Sequence, residues 1–326
     1  MTTDFPRLDC REEHFRIPGP HPGLELFLRY LPAAQPNGAR RAVLYIHGAS
    51  FPSALSIAHR FDGYSWRDAL NAAGFDVWGL DFQGFGFSDR YPAMAHPSDG
   101  APPLCAAADA ADQIEAAVRF ILAHQGLAQL SLISHSWGSM PTGCFAARQE
   151  GLIDRWVLFG PVARRVPAQA AAAPTGPAWR EVSLEAQWTR FVEDVPAGTE
   201  PVLSRRHFAA WSELYLDSDS ESRTRSPSGV RIPAGPSVDI QHAWNGTLAY
   251  DPAQVRVPVA IIRGEWDGVL PDADARWLFD AFSAAPSKRD IKISRATHLM
   301  HLEQMRFALY REATLFLQGG DIAPAA

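Results

Sequence analysis

Cysteine is scarce, with only Cys10, Cys105 and Cys144 in 326 residues. The three are far apart, odd in number and without C-x-x-C spacing. A disulfide framework or a thiolate metal site is therefore not expected, and the pattern fits buried thiols in a reducing, cytoplasmic setting. Long apolar runs are also missing. No stretch approaches the ~18 residues of a membrane-spanning helix, so membrane insertion is not expected. The opening residues, Met-Thr-Thr-Asp-Phe-Pro-Arg, hold neither the basic nor the apolar part of a secretory signal. Excess basic charge is absent as well. The formal net charge is -6, with both signs mixed along the chain, which argues against nucleic acid or an anionic membrane surface as partner. What is present is hydrophobic content, at 47%. That suffices for a sizeable core, and the length allows one large α/β domain with an inserted subdomain.

Apolar runs alternate with helix-favouring stretches. Residues 1–23 carry several Pro and His and end in a Pro22-Gly23 turn. Leu24 to Tyr30 alternates apolar and polar residues, as in a half-exposed strand. Ala42 to Ile46, Phe75 to Leu80, Leu130 to Ile133, Ile153 to Phe159 and Val257 to Arg263 read as strands buried on both faces. Asp290 to Ser294 is a short alternating strand. Helices are predicted over Trp66 to Ala73, within Leu104 to His124, and over Pro141 to Gln149, Asp272 to Ser283 and Phe307 to Leu317. This succession predicts a mostly parallel, doubly wound α/β sheet flanked by helices.

The alternation breaks at residue 162. From there to about 250 the composition changes, with an Ala/Pro stretch at Ala168 to Pro177, four tryptophans (Trp179, Trp188, Trp211 and Trp244), and helix-like pieces at Trp179 to Val192 and Arg205 to Tyr215. Asp217 to Ser228 reads as polar and mobile. The expected organisation is a core in two parts, 1–162 and 251–326, interrupted by a helical cap at 163–250. Gly319 to Ala326 reads as a frayed tail.

Short polar motifs stand where the predicted strands end: His47-Gly48-Ala49-Ser50, Asp81-x-x-Gly84-x-Gly86-x-Ser88, Ser134-His135-Ser136-Trp137-Gly138, Gly264-Glu265-Trp266-Asp267 and Thr297-His298. A strand that turns at once into a helix strains the corner residue and needs small neighbours two positions away. Ser136, between Ser134 and Gly138, fits that corner. A serine hydroxyl needs a base poised near neutral pH, and an imidazole needs a carboxylate to fix its tautomer. For the acid the chain offers Asp267, with Glu265 and Asp272 as rivals. For the base it offers His298 or His301. His135 and His47 read as structural.

In order and position these motifs resemble the α/β-hydrolase superfamily, in particular its capped branch of serine esterases, thioesterases and carbon-carbon-bond hydrolases. The resemblance covers about 24–162 and 250–317. It implies an α/β-hydrolase fold with an inserted helical cap, and a Ser136–His298–Asp267 triad at a nucleophile elbow. Asp267 is favoured by the family's Gly-x-x-Asp spacing, and His298 by its H-x-x-x-x-E ending at Glu303. The resemblance also implies an oxyanion hole from the backbone N–H groups of Trp137 and Ala49, with Ser50 as an alternative or added donor. The expected activity is cofactor-free hydrolysis of an ester, thioester or lactone of a small acyl substrate. A carbon-carbon hydrolase or acyltransferase would use the same triad, and a non-catalytic ligand-binding protein is the reading from another class. Ser136 excludes the covalent route of relatives with an aspartate at the elbow. Trp188, Trp211 and Trp266 are candidate linings of a large apolar pocket; packing of the cap on the core is the equal alternative. Neither substrate nor oligomeric state is legible.

Overall fold

The computed structural model describes residues 6–34, 40–166 and 174–319. Much of the Ala/Pro stretch after residue 166 and of the C-terminal tail lies outside the described residues. The order along the chain is β1 (Glu13–Pro18), β2 (Glu25–Leu31), β3 (Arg41–Ile46), α1 (Trp66–Ala72), β4 (Phe75–Asp81), α2 (Ala107–Gln125), β5 (Leu130–His135), α3 (Ser139–Arg148) and β6 (Ile153–Phe159). Then come β7 (Trp179–Ser183), α4 (Leu184–Val192), α5 (Arg205–Asp217), β8 (Gly229–Pro233) and α6 (Gly235–Trp244). The chain closes with β9 (Val259–Gly264), α7 (Asp272–Ala281), β10 (Lys288–Ile293) and α8 (Arg306–Gln318).

Eight strands form one sheet in the order β1-β2-β4-β3-β5-β6-β9-β10. From β4 to β10 all pairs are parallel; β1 and β2 add antiparallel. The central strands are buried along almost their whole length because helices cover both faces. Val43 and Tyr45 of β3 pack with Trp66 and Leu70 of α1 and Leu309 and Phe316 of α8. Ala42, Leu44 and Ile46 point the other way, into the cluster with Ile114, Val118 and Ile121 of α2 and Met140 of α3. The chain leaves β3 toward β4 on one side and returns to β5 on the other. That reversal opens a crevice at the carboxyl ends of the strands, the place where open α/β sheets bind ligands.

Several parts differ from the sequence reading. β2, read as half-exposed, is buried from Leu26 to Leu31 because β1 and β4 flank it and helices cover the sheet. β1 lies within residues read only as Pro- and His-rich before a turn. Phe15 of β1 packs on Trp78 and Phe120, and Pro18 closes an edge strand, where a missing N–H is tolerated. The segment between β6 and β9 holds, besides the helices α4, α5 and α6, a two-stranded sheet that the sequence reading did not contain. Trp179–Ser183 is a strand because it pairs with Gly229–Pro233, a partner far along the chain that local periodicity does not reveal. Ser183 then caps α4 through the Ala186 N–H. The polar stretch after α5 is pinned by buried Asp219, which holds Arg225 at 2.6 Å and accepts the Arg231 N–H. Cys10 is exposed and Cys144 partly so, leaving Cys105 as the buried thiol. No helix among the described residues is long and apolar enough to cross a membrane.

Candidate active site

β5 runs into a short turn, Ser136–Gly138, and then into α3. Ser136 has φ 55°, a left-handed conformation that costs a side-chain-bearing residue about 1–3 kcal/mol. Its surroundings hold it there. A Cβ on Gly138 would stand 2.5 Å from the His47 carbonyl oxygen, so only glycine lets the turn pass the β3 loop. Ser134 Oγ accepts the Trp156 indole N–H at 2.8 Å. Ser139 Oγ donates to the Ser136 carbonyl at 2.7 Å.

The structure brings Ser136, His298 and Asp267 together. Ser136 Oγ lies 2.8 Å from His298 Nε2. His298 Nδ1 donates to Asp267 Oδ1 at 3.0 Å. All three residues are buried. They arrive on loops after β5, β10 and β9, whose carboxyl ends are aligned by the parallel register. Burial alone would raise the Asp267 carboxyl, but the facing imidazole and the N–H groups of Leu270 and Val269 hold it below the usual carboxylate range. Gly160, at the end of β6, has φ 51°. A Cβ there would stand 3.0 Å from both Asp267 Oδ2 and His298 Nδ1, so a side chain would wedge into the pair.

The rival residues lie elsewhere. Glu265 is exposed and accepts the Arg295 N–H. Asp272 is exposed and pairs with Arg263 and Lys292. His301 is buried 4.8 Å from the His135 ring, with neither ring nitrogen hydrogen-bonded, and burial pushes it down to about 3. His135 stacks on Phe159 at 4.6 Å and its Nε2 donates to the His298 carbonyl, so it braces the loop of the facing imidazole. His47 Nε2 accepts the Phe82 N–H and Nδ1 contacts the Gly48 carbonyl, tying the loop after β3 to that after β4.

A cavity of about 240 Å³ opens above Ser136. Gly48, Ala49, Ser50, His135, Ser136 and His298 lie on the sheet side. Arg180 of β7, Arg190 of α4, and Ser237, Gln241 and Trp244 of α6 lie opposite. It is small and partly polar, not the large apolar pocket the tryptophan count suggested. Trp188, Trp211 and Trp266 are not among its lining residues. Trp211 is fully buried, donates to the Leu55 carbonyl and packs edge-on against Phe51. Trp188 is covered by Arg205, 3.5 Å above its ring. Trp266 is held by its backbone, which donates to the Ala296 carbonyl. The Trp137 indole turns away, toward Asp239 at 2.9 Å, so that residue can serve the site only through its backbone. The sequence reading missed Arg180, Arg190 and Gln241, because nothing local marks a residue as facing a crevice whose floor, at Gly48, Ser136 and His298, lies tens of positions away along the chain.

Glu303 supports the His298 loop by accepting from the Thr297 N–H at 3.0 Å and from the Thr297 hydroxyl. Burial pushes its carboxyl up to about 7; the Thr297 donors oppose this and the charges of Asp267 and Asp194 add to it. The native state therefore keeps this proton in the range where the unfolded chain, near 4.5, releases it. The contribution to stability is full below pH 4.5 and is lost as pH rises through 7. Glu303→Gln keeps the Thr297 N–H bond through its Oε1, turns the hydroxyl contact round so that Nε2 donates to Thr297 Oγ1, and removes the titration. Its unfolding free energy is expected to exceed wild type by about 2–3 kcal/mol at pH 8 and to match it near pH 4.5. An equal difference at both pH values in urea titrations would contradict this.

Residues 41–304 match the alpha/beta hydrolase fold family, and the chain belongs to it. A sequence search of curated proteins finds no match. The structure is similar to a thioesterase domain from the curacin biosynthetic pathway (TM-score 0.60, 14% identity, covering 94% of this chain and 99% of that one). It is also similar to a serine hydrolase from the bacterium Cycloclasticus zankles (0.59, 17%, 94% and 98%) and to an epoxide hydrolase from Vigna radiata (0.60, 16%, 94% and 98%). At such identities the likeness establishes the fold, and the chemistry has to be argued from the site.

Proposed function

We propose that this chain is a cofactor-independent serine hydrolase that cleaves carboxylic esters, or the related thioesters and lactones, through an acyl-enzyme. The observation that carries the reading is the unbroken Ser136–His298–Asp267 hydrogen-bonded relay at the floor of the cavity. His298 Nε2 takes the Ser136 proton as Oγ attacks the carbonyl carbon, and Asp267 stabilises the imidazolium. The backbone N–H groups of Trp137 and Ala49 receive the oxyanion, each worth about 3–4 kcal/mol to the transition state. His298 returns the proton to the departing alcohol. It then activates a water that frees the acid and regenerates Ser136.

Residues 163–250 act as a cap, supported by the lining residues they contribute. The modest volume favours short acyl groups over the bulky ones expected from tryptophan content. A fluorophosphonate probe is expected to label the wild type and not Ser136→Ala, and p-nitrophenyl esters to be turned over with preference for short chains. A folded wild type that resists the probe and leaves esters, thioesters and lactones intact would overturn the reading.

A further inference from the structure

Among the residues lining the cavity, two carry fixed positive charge, and they are not equivalent. Arg190 forms an ion pair with Glu193 and also feels the charge of Asp194. Arg180 has no hydrogen bond or ion pair among the described residues, and its Nε is buried without a partner. The groups acting on it are the Tyr215 phenol, neutral at physiological pH, and the like charge of Arg190. Arg180 is itself half-buried, and the more deeply buried arginines face carboxylates: Arg29 and Arg67 share Glu12, and Arg263 has Asp290 and Asp272. A guanidinium stays protonated under burial. Holding it at a cavity wall without a counter-charge is costly, and an incoming anion relieves that cost.

We propose that the substrate carries a carboxylate which Arg180 binds in this cavity, so that the enzyme acts on half-esters of short dicarboxylic acids or esters of short hydroxy acids. This rests on the hydrolase reading above. The planar fork of Arg180 suits a carboxylate bidentately. One uncompensated charge matches a monoanion; a phosphate dianion would leave a negative charge over. The small cavity sets a short spacer between the ester and the acid, with Phe51, Ile240 and Leu299 as its apolar lining.

Two matched pairs test this: p-nitrophenyl hydrogen glutarate against p-nitrophenyl valerate, and acetoxyacetate against propyl acetate, each with a single ester bond. In at least one pair the charged member is expected to be favoured at least tenfold in kcat/KM. In Arg180→Gln that ratio is expected to fall to near one, and in Arg180→Lys, which keeps the charge without the fork, to an intermediate value. A ratio near one in the wild type for both pairs, or one that survives Arg180→Gln, would overturn the proposal. If the wild type turns over no ester, the hydrolase reading fails separately, and calorimetry with glutarate decides the charge question. Binding by wild type that is lost in Arg180→Gln supports the anion site, and no binding by wild type overturns it. If Arg180→Gln does not fold, the wild-type ratio and the Arg180→Lys variant carry the decision: a wild-type preference that Arg180→Lys leaves undiminished counts against the fork.

Discussion

Ser136→Ala is expected to lower kcat by about 10⁶-fold, and Asp267→Asn by about 10⁴-fold, each with little change in KM. The first removes the atom that forms the acyl bond. The second keeps the shape of the acid but lets an amide face His298 Nδ1, which now donates at 3.0 Å. The imidazole must then turn its tautomer round and present a proton, instead of a lone pair, to Ser136. Because the three groups act as one relay, a Ser136→Ala/Asp267→Asn double variant is expected to be no worse than Ser136→Ala alone. Single-turnover kinetics on the best p-nitrophenyl ester provide the measurement. An additive double variant, or an Asp267→Asn enzyme within tenfold of wild type, would show that another group orients His298. Asp194 is the one to examine next, since its Oδ2 accepts the Gly268 N–H in the same loop.

The second large effect concerns stability. Glu12 is fully buried beside β1 and accepts from Arg29 Nη1 at 2.5 Å and from Arg67 Nη1, two arginines that are themselves only 1% exposed. Glu12→Ala leaves both guanidinium groups without their shared counter-charge and is expected to cost about 3–5 kcal/mol. Burial would raise the Glu12 carboxyl, but His14, Arg29 and Arg67 hold it down to about 2. Its contribution is present above pH 4.5 and disappears as pH falls through 2. The loss in Glu12→Ala is therefore expected to be large at pH 7 and to shrink on acidification. Urea unfolding with an unchanged m-value tests it. A loss under about 1 kcal/mol at pH 7, the range of an ordinary surface change, would mean that the arginines find other partners.

These residues also show what the sequence reveals. The strands β3, β4, β5, β6 and β9 are legible because burial on both faces turns each into a local apolar run. Ser136, Asp267 and His298 are legible as candidates because each follows such a run, in an order the resemblance to the family supplies. Glu12 is silent: a glutamate between Arg11 and Glu13 reads as surface, and its partners stand 17 and 55 positions away. The tryptophans mislead for a related reason. A large indole is valuable as packing, and Trp211 serves that purpose against Phe51, Phe191 and Tyr215. The cap wall of the cavity comes from Arg180, Arg190, Ser237, Ile240 and Gln241 together with Trp244, placed there by the β7–β8 pairing and the seat of α6.

That seat has a mechanical consequence. Asp239 of α6 takes two hydrogen bonds, from the Trp137 indole at 2.9 Å and from the Ala107 N–H at the start of α2 at 2.8 Å, while the Gly235 N–H reaches the Leu104 carbonyl. In the chain, α6 belongs to the inserted segment. In terms of what is fastened to what, it is tied to the nucleophile's own turn. Contiguity along the backbone and attachment in space thus part company, and a helix that the chain places in the insertion is anchored directly beside Ser136.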